Sequence, residues 1–270
     1  RRRLEAEAIE KGIEYEQPGD VLQRLLNDTE RNGFVDIEDV CGHILILILA
    51  SVHTTTDSSL STLYYLAAYP QYIEKLYEEQ QQVLDMQQRE REYERQELNR
   101  KSEIIPPELD PSRDRELTAA TVKKMAYLDS FLREAFRHRL ELLILAHRAR
   151  KTITLSDGTV VVKGTDVIIN MKSAHYGPEQ GEDPAEFQPW RFVGKSKTAT
   201  KVAPDFLPFG MGRHACPGRF LAIQEVKTTV LMFVQRYSNL EIQDSTHTKR
   251  ILHSRIGTPL PTGLYFTKRA

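Results

Sequence analysis

The chain has 270 residues, 40% of them apolar and 28% charged, which excludes a disordered polypeptide and describes a globular one. A net charge of −1 gives no electrostatic case for nucleic acid. Two cysteines, Cys41 and Cys216, are too few for a disulfide framework, so a reducing compartment is the default. The first residue is Arg1 rather than Met, which leads us to expect an excised or truncated product. No signal peptide or transmembrane segment is expected, because the most apolar stretch, Cys41 to Val52, is shorter than a bilayer requires.

Taken in order, Leu4 to Glu16 reads as a charged surface helix ending near Pro18-Gly19. Asp20 can cap a second helix that puts Val21, Leu22, Leu25 and Leu26 on one face. Asn32-Gly33 is a turn. Asp36 or Asp39 then opens a long helix to about Ala68, stopped by Pro70. Its first half, Ile44 to Ala50, is apolar all round, which predicts burial in a large core. The helix then turns polar at Ser51-Val52-His53-Thr54-Thr55-Thr56-Asp57. Hydroxyls there can bond back to carbonyls one turn earlier, or they can line a cofactor cavity.

Gln71 to about Asn99 reads as another helix, and its run from Gln80 to Arg100 as a solvated face. Residues 104–115 read as loop. Thr118 can cap the segment Ala119 to Met125. The helix beginning at Ala126 carries Glu134 and Arg137 three apart, on one face. From Lys151 the pattern becomes β: Thr152 to Leu155, the turn Ser156-Asp157-Gly158, then Thr159 to Val162, with a further strand at Val167 to Ile169. Tyr176 to Pro189 reads as loop and leads into Trp190-Arg191-Phe192. The helix after the second cysteine sets Phe220, Ile223, Val226, Val230 and Phe233 at helical intervals. Short strands follow from Leu240 to Phe266, joined by Gly257-Thr258-Pro259-Leu260-Pro261.

The most distinctive stretch is Phe209 to Gly218, a glycine loop presenting one cysteine just ahead of a helix. A thiolate there faces the positive end of the helix dipole and free N–H groups, which suits a metal-bound sulfur, and haem iron is one metal held by a single Cys thiolate. Pro217 fits the first helical position. Gly210, Gly212 and Gly218 allow close approach of backbone to a flat cofactor. An ordinary buried cysteine is the competing reading. Gly210-x-Gly212-x-x-Ala215 also matches a dinucleotide fingerprint, but no β-run precedes it.

Four separated signals then occur in one order. They are Phe209, Gly212, Cys216 and Gly218 in the pattern Phe-x-x-Gly-x-x-x-Cys-x-Gly; Glu134 and Arg137 as Glu-x-x-Arg; Pro189 to Phe192 as Pro-x-Arg-Phe; and Ala50-Ser51-Val52-His53-Thr54 in the long helix. Together they resemble the cytochrome P-450 family of haem-thiolate monooxygenases, over the length of its C-terminal half. The wording is most similar to fungal members of secondary metabolism, such as terpenoid oxidases.

The resemblance implies a mainly α fold with small β-sheets (α+β), as a single domain over 1–270. Within it would lie the oxygen-activation helix (36–69), the Glu-x-x-Arg helix (126–139), the β hairpin region (151–170), the haem-binding loop (209–218) and the helix after the cysteine (219–237). It implies haem b with Cys216 as the axial, metal-binding thiolate and Phe209 packed beside it. Gly218 belongs to the same binding loop, and His214 and Arg148 would contact haem propionates. Glu134, Arg137 and Arg191 would form a buried structural triad, Thr54 would hydrogen-bond dioxygen, and His53 stands where an acid usually delivers protons. Ser51 replaces the usual glycine, and Ala50 would face the substrate.

The expected partners are an apolar small-molecule substrate, dioxygen and an NADPH-cytochrome reductase, with no nucleic acid. The full-length parent would sit at the cytosolic face of the endoplasmic reticulum membrane. Alternatives are a truncated remnant that binds haem weakly or not at all, and a haem-thiolate isomerase or dehydratase. The proline usual a few residues after the motif arginine is missing from the run His138 to Leu145.

Overall fold

The computed structural model describes residues 2–14, 17–27, 33, 36–139, 146–248 and 262–270. The fold is mainly helical with three two-stranded antiparallel sheets among the described residues. It divides into two compact units, Arg1–His53 and Thr54–Ala270.

The first unit holds α1 (Arg2–Glu10) and α2 (Val21–Asn27). It also holds the N-terminal part of α3 (Ile37–Ala68). Helix α1 is shorter than its charge pattern suggests, because Lys11-Gly12 turns the chain with Gly12 at φ +63. Asp20 caps α2 by accepting from the Gln23 amide at 2.9 Å. Asp36 caps α3 by accepting from the amides of Glu38 and Asp39 at 2.9 and 3.1 Å.

The predicted burial of α3's first half is not met. Leu45, Ile46, Leu47, Ile48 and Leu49 are all exposed, Leu45 at 66%. Periodicity shows that a surface is apolar; it does not supply the atoms that cover it, and no described residue does so here. The same helix corrects the reading that the apolar stretch is too short for a bilayer. An 18-residue window of α3 has mean hydropathy 1.5, so by length and composition it is long and apolar enough to cross a membrane.

In the second unit, the core lies between the C-terminal part of α3, α4 (Ile73–Arg100), α6 (Ala126–His138) and α8 (Arg219–Arg236). Leu66, Leu76, Phe131, Leu132, Val230 and Leu231 are fully buried there. The charged run of α4 is more than a solvated face. Arg95 forks onto Asp114 with two 2.7 Å bonds, and Gln87 donates to the carbonyls of Asp114 and Glu116, tying the 104–116 loop back onto the helix. Thr118 caps α5 (Ala119–Lys123) as its position suggests.

Strand β1 (Ala146–Arg148) pairs with β4 (Asp166–Ile168), and β2 (Ile153–Thr154) with β3 (Val160–Val161). A short helix, α7 (Met171–His175), follows β4. The C-terminal ribbon pairs β5 (Tyr237–Ile242) with β6 (Leu264–Lys268). The sequence reading marks neither β1 nor α7. The Leu140 to Leu145 run and the Gly257 to Pro261 turn lie outside the described residues.

Candidate functional site

Helix α6 is buried on every side, from Ser130 to His138, yet it carries Arg133, Glu134 and Arg137. Charges placed so deep must be paired and hydrogen-bonded. Arg137 does this as a fork: Nε and Nη2 each donate to the Glu134 carboxylate at 2.8 Å. Arg191 Nε adds a third bond to Glu134 Oε1 at 3.2 Å, and the Gln188 amide a fourth at 2.9 Å. Burial alone would raise the Glu134 carboxyl. The hydrogen bonds from Arg137 and His138, the Arg137 charge and the Gln188 amide outweigh it and hold the group at about 2.

The spare N–H groups of both arginines reach into the loop after α7. Arg137 Nη1 donates to the carbonyls of His175 (2.8 Å) and Pro184 (2.6 Å). Arg191 donates to those of Gln180 (2.7 Å), Glu182 (3.2 Å), Asp183 (3.1 Å) and Glu186 (3.1 Å). A segment with no regular structure thus has its carbonyls satisfied by two planar guanidinium groups. Ser130 fixes the Pro189–Phe192 element from the same helix: its hydroxyl donates to Pro189 O at 2.7 Å and accepts from the Phe192 amide at 3.0 Å.

Sequence motifs do not point to three further members of this network. Arg133 stacks over Phe206 at 3.8 Å and donates to the carbonyls of Thr198 and Lys201. Burial pushes it down to about 10 against the pull of Asp205, Asp129 and Glu134. Glu79 caps α6 across the core, accepting from the amides of Tyr127 and Leu128 at 2.7 and 2.9 Å. His175 is fully buried, and its burial lowers the imidazole to about 4. A histidine near a turn carries no sequence signal that separates these roles from a surface position.

The cysteine loop is short and tightly hydrogen-bonded. The Cys216 amide donates to Phe209 O at 2.8 Å, closing the loop on itself. Gly210 and Gly212 sit at φ +68 and +70, a region that a side chain would strain, whereas Gly218 has φ −79 and serves as the N-cap of α8. The helix therefore begins at Arg219. Pro217 lies in the turn before it and not at the first helical position. Arg219 folds back to donate to Cys216 O at 2.8 Å. Cys216 is half-buried, and Phe209 meets Phe136 of α6 edge-on at 6.0 Å. Phe220 is 59% exposed and does not share the buried face of α8.

The remaining predicted residues are spread out. His214 is exposed on a turn and accepts from Arg213 Nε at 3.1 Å. Arg148 is exposed on β1 and forks onto its cross-strand partner Asp166 at 2.7 and 3.0 Å. Thr54 is half-buried in α3 and His53 exposed. Ser51 bonds back to Ile48 O at 3.3 Å. Three residues beyond Thr54, Asp57 is gripped by Arg139, which donates to its carbonyl at 2.8 Å and to its carboxylate.

The donor set fits haem. No cluster of three His, Cys, Asp or Glu side chains able to hold a metal occurs among the described residues. A lone thiolate suits an iron that brings its other donors in a macrocycle, and the two positive-φ glycines leave the loop bare where such a ring would approach. The mainly helical fold thus carries a buried Glu–Arg–Arg network that holds the 175–188 backbone, and a separate glycine loop that presents one cysteine.

The sequence model of the cytochrome P450 family matches residues 4–105 and 107–268, and the chain belongs to that family. The cytochrome P450 monooxygenase paxP of Penicillium paxilli is 31% identical over 261 residues, covering 93% of this chain and 44% of that protein. The cytochrome P450 monooxygenase 71 of Postia placenta is 29% identical over 226 residues, covering 81% and 40%. The cytochrome P450 monooxygenase janP of Penicillium janthinellum is 28% identical over 265 residues, covering 95% and 46%. The chain thus spans less than half the length of these curated relatives. A family of this kind implies a haem held through a cysteine thiolate, a redox partner, dioxygen and a substrate.

Proposed function

We propose that this chain forms the haem-thiolate part of a monooxygenase that hydroxylates an apolar secondary metabolite, a terpenoid being the leading candidate. The observation that carries the reading is the buried Glu134–Arg137–Arg191 network, hydrogen-bonded to the 175–188 backbone, in a chain whose Phe209–Gly218 loop presents Cys216. Bound haem supplies reductive activation of dioxygen and transfer of one oxygen atom. Cys216 would hold the haem iron through its thiolate, with Phe209 shielding the sulfur and Gly218 leaving room beside it. His214 donates to one propionate. Arg148 spends Nε and Nη2 on Asp166 and has Nη1 for the other propionate.

Thr54 holds a proton-bearing hydroxyl toward the oxygen site. His53 stands in the place of the usual acid as the proton-relaying group, and Ala50 faces the substrate. We assign the redox partner as an NADPH-dependent flavoprotein reductase. A groove of about 530 Å³ beside the first turns of α8 is rimmed by Lys123, Lys124, Lys195 and Lys197 over Phe192 and Phe220. Lys124 pairs with Glu90 and Lys197 with Asp205, which leaves Lys123 and Lys195 for an acidic flavoprotein, and docking there should weaken with salt. The endoplasmic reticulum membrane is the proposed location of the enzyme.

Haem reconstitution tests the core of this reading. After reduction and carbon monoxide addition, the chain should show the red-shifted Soret band of thiolate ligation, and Cys216→Ser should abolish it. Persistence of that band in Cys216→Ser would overturn the assignment.

A further inference from the structure

We infer that His175 is a positioning residue for the cysteine loop, a neutral imidazole that ties the Glu-x-x-Arg helix to the backbone entering that loop. The inference rests on Cys216 being the iron ligand only for its spectroscopic part. The ring is fully buried and lies parallel to Phe206, with centroids 5.8 Å apart and planes at 23°. One nitrogen, Nδ1, lies 3.1 Å from the backbone oxygen of Arg137, which can only accept. The other, Nε2, receives the Leu207 amide at 2.8 Å, which can only donate. A single tautomer satisfies both, with the proton on Nδ1.

The connection continues past the ring. The Gly210 amide donates to Leu207 O at 2.9 Å, and the Cys216 amide donates to Phe209 O at 2.8 Å. An unbroken path of backbone and one imidazole therefore runs from Arg137 to the sulfur-bearing residue. Arg137 also fixes the backbone of His175 by donating to its carbonyl at 2.8 Å.

The surroundings keep the ring neutral. Burial acts first, and the guanidinium groups of Arg137 and Arg133, both from α6, disfavour a second proton. The hydrogen bond to the Arg137 carbonyl and the carboxylate of Asp205 oppose them. A protonated ring would turn a second N–H toward the Leu207 amide, and the joint would open.

Hydrogen exchange on the haem-free chain reads the joint directly. His175→Phe keeps the ring and the stack but loses both bonds. His175→Gln keeps one group able to accept from Leu207. The Phe variant should exchange the amides of residues 207–216 at least tenfold faster than wild type, while amides of α4 and α8 change less than twofold. The Gln variant should recover at least half of the lost protection. After haem loading, the share of the red-shifted carbon monoxide band should follow the same order: wild type, Gln, Phe.

Unchanged exchange at 207–216 in both variants would overturn the proposal. So would equal loosening throughout the unit, or a Gln variant no better than Phe. If His175→Phe does not fold, the Gln variant alone decides by whether its loosening is confined to 207–216. Loss of the band in Cys216→Ser together with normal exchange in the His175 variants would leave the haem reading standing and remove this one.

Discussion

Two arginine–carboxylate pairs in this molecule have nearly the same geometry and opposite surroundings. Arg137 forks onto Glu134 at 2.8 and 2.8 Å with both side chains fully buried. Arg148 forks onto Asp166 at 2.7 and 3.0 Å with side chains 71% and 69% exposed. Hydrogen-bond lengths do not separate them; access to water does. In the buried pair each charge depends on its partner, because no solvent replaces it. In the exposed pair water competes for every N–H, and the pair can be exchanged for another ligand at little cost. The first arrangement serves a scaffold, and the second leaves an arginine free to meet an anion.

Removal of one buried partner should have the largest effect on stability. Arg137→Ala takes two of Glu134's hydrogen bonds, leaving those from Arg191 and the Gln188 amide, and strips donors from His175, Pro184 and Glu186. Loss of one partner of a buried pair costs about 3–5 kcal/mol. Urea unfolding of the haem-free chain should show a drop of that order, and Arg137→Lys should recover little because a single ammonium cannot reproduce the fork. A change under about 1 kcal/mol would mean that the network is hydrated in solution, on the scale of an exposed pair.

Acid titration separates the same network by residue. Burial lowers His175 to about 4 from an ordinary 6.5. As pH falls, the unfolded chain takes up this proton first. The stability that His175 secures is therefore complete above about pH 6.5 and drains away as pH falls toward 4, by roughly 3 kcal/mol in all. Glu134 is held at about 2 against an ordinary 4.5, so its contribution is present above 4.5 and is lost only as pH falls toward 2. Unfolding free energies at pH 7 and pH 5 should differ by roughly 2 kcal/mol more in wild type than in His175→Gln. Equal pH dependence in the two proteins would show that the imidazole is not shielded.

How far the sequence alone could read this molecule depended on whether a residue's partner was fixed by spacing. Glu134 and Arg137 are three apart on a helix, and Arg191 sits in a Pro-x-Arg-Phe element, so their union could be anticipated. Arg133, Glu79 and His175 find their partners through tertiary packing, 32 or more residues away along the chain. No local pattern encodes such distances. The apolar run Leu45 to Leu49 misled for the opposite reason, since its pattern was plain and its cover was not. The helix end at Ala68 was readable from Pro70, which is local. Strand β1 was not, because its partner β4 lies about twenty residues on, and the five-residue α7 is too short for a periodic pattern although Asn170 caps it.

A third pair lies between the two extremes. Arg139 is buried, but the Asp57 side chain that it grips is 19% exposed. Arg139→Ala should destabilise the chain by about 2 kcal/mol, less than Arg137→Ala, because water can reach the abandoned carboxylate. Since Asp57 lies one turn beyond Thr54, faster amide exchange in residues 54–61 should accompany the loss. A cost equal to that of Arg137→Ala would place Asp57 among the fully shielded groups.

The smallest structural effect is expected at the other end of the comparison and carries the most functional information. Arg148→Ala should leave the melting temperature of the haem-free chain unchanged, because β1 and β4 keep their backbone pairing and Asp166 is already in water. If Nη1 of Arg148 does bind a propionate, the same substitution should weaken haem retention severalfold, measured by transfer of haem to an apoprotein acceptor. Asp166→Asn is the control that divides the two roles. It removes the exposed ion pair but leaves the arginine, now free with its whole fork, and haem retention should hold or improve. A loss of retention in Asp166→Asn equal to that in Arg148→Ala would mean that the pair acts as a structural clasp of the β1–β4 ribbon. The arginine would then be part of the scaffold after all, and its exposure would have no bearing on its use.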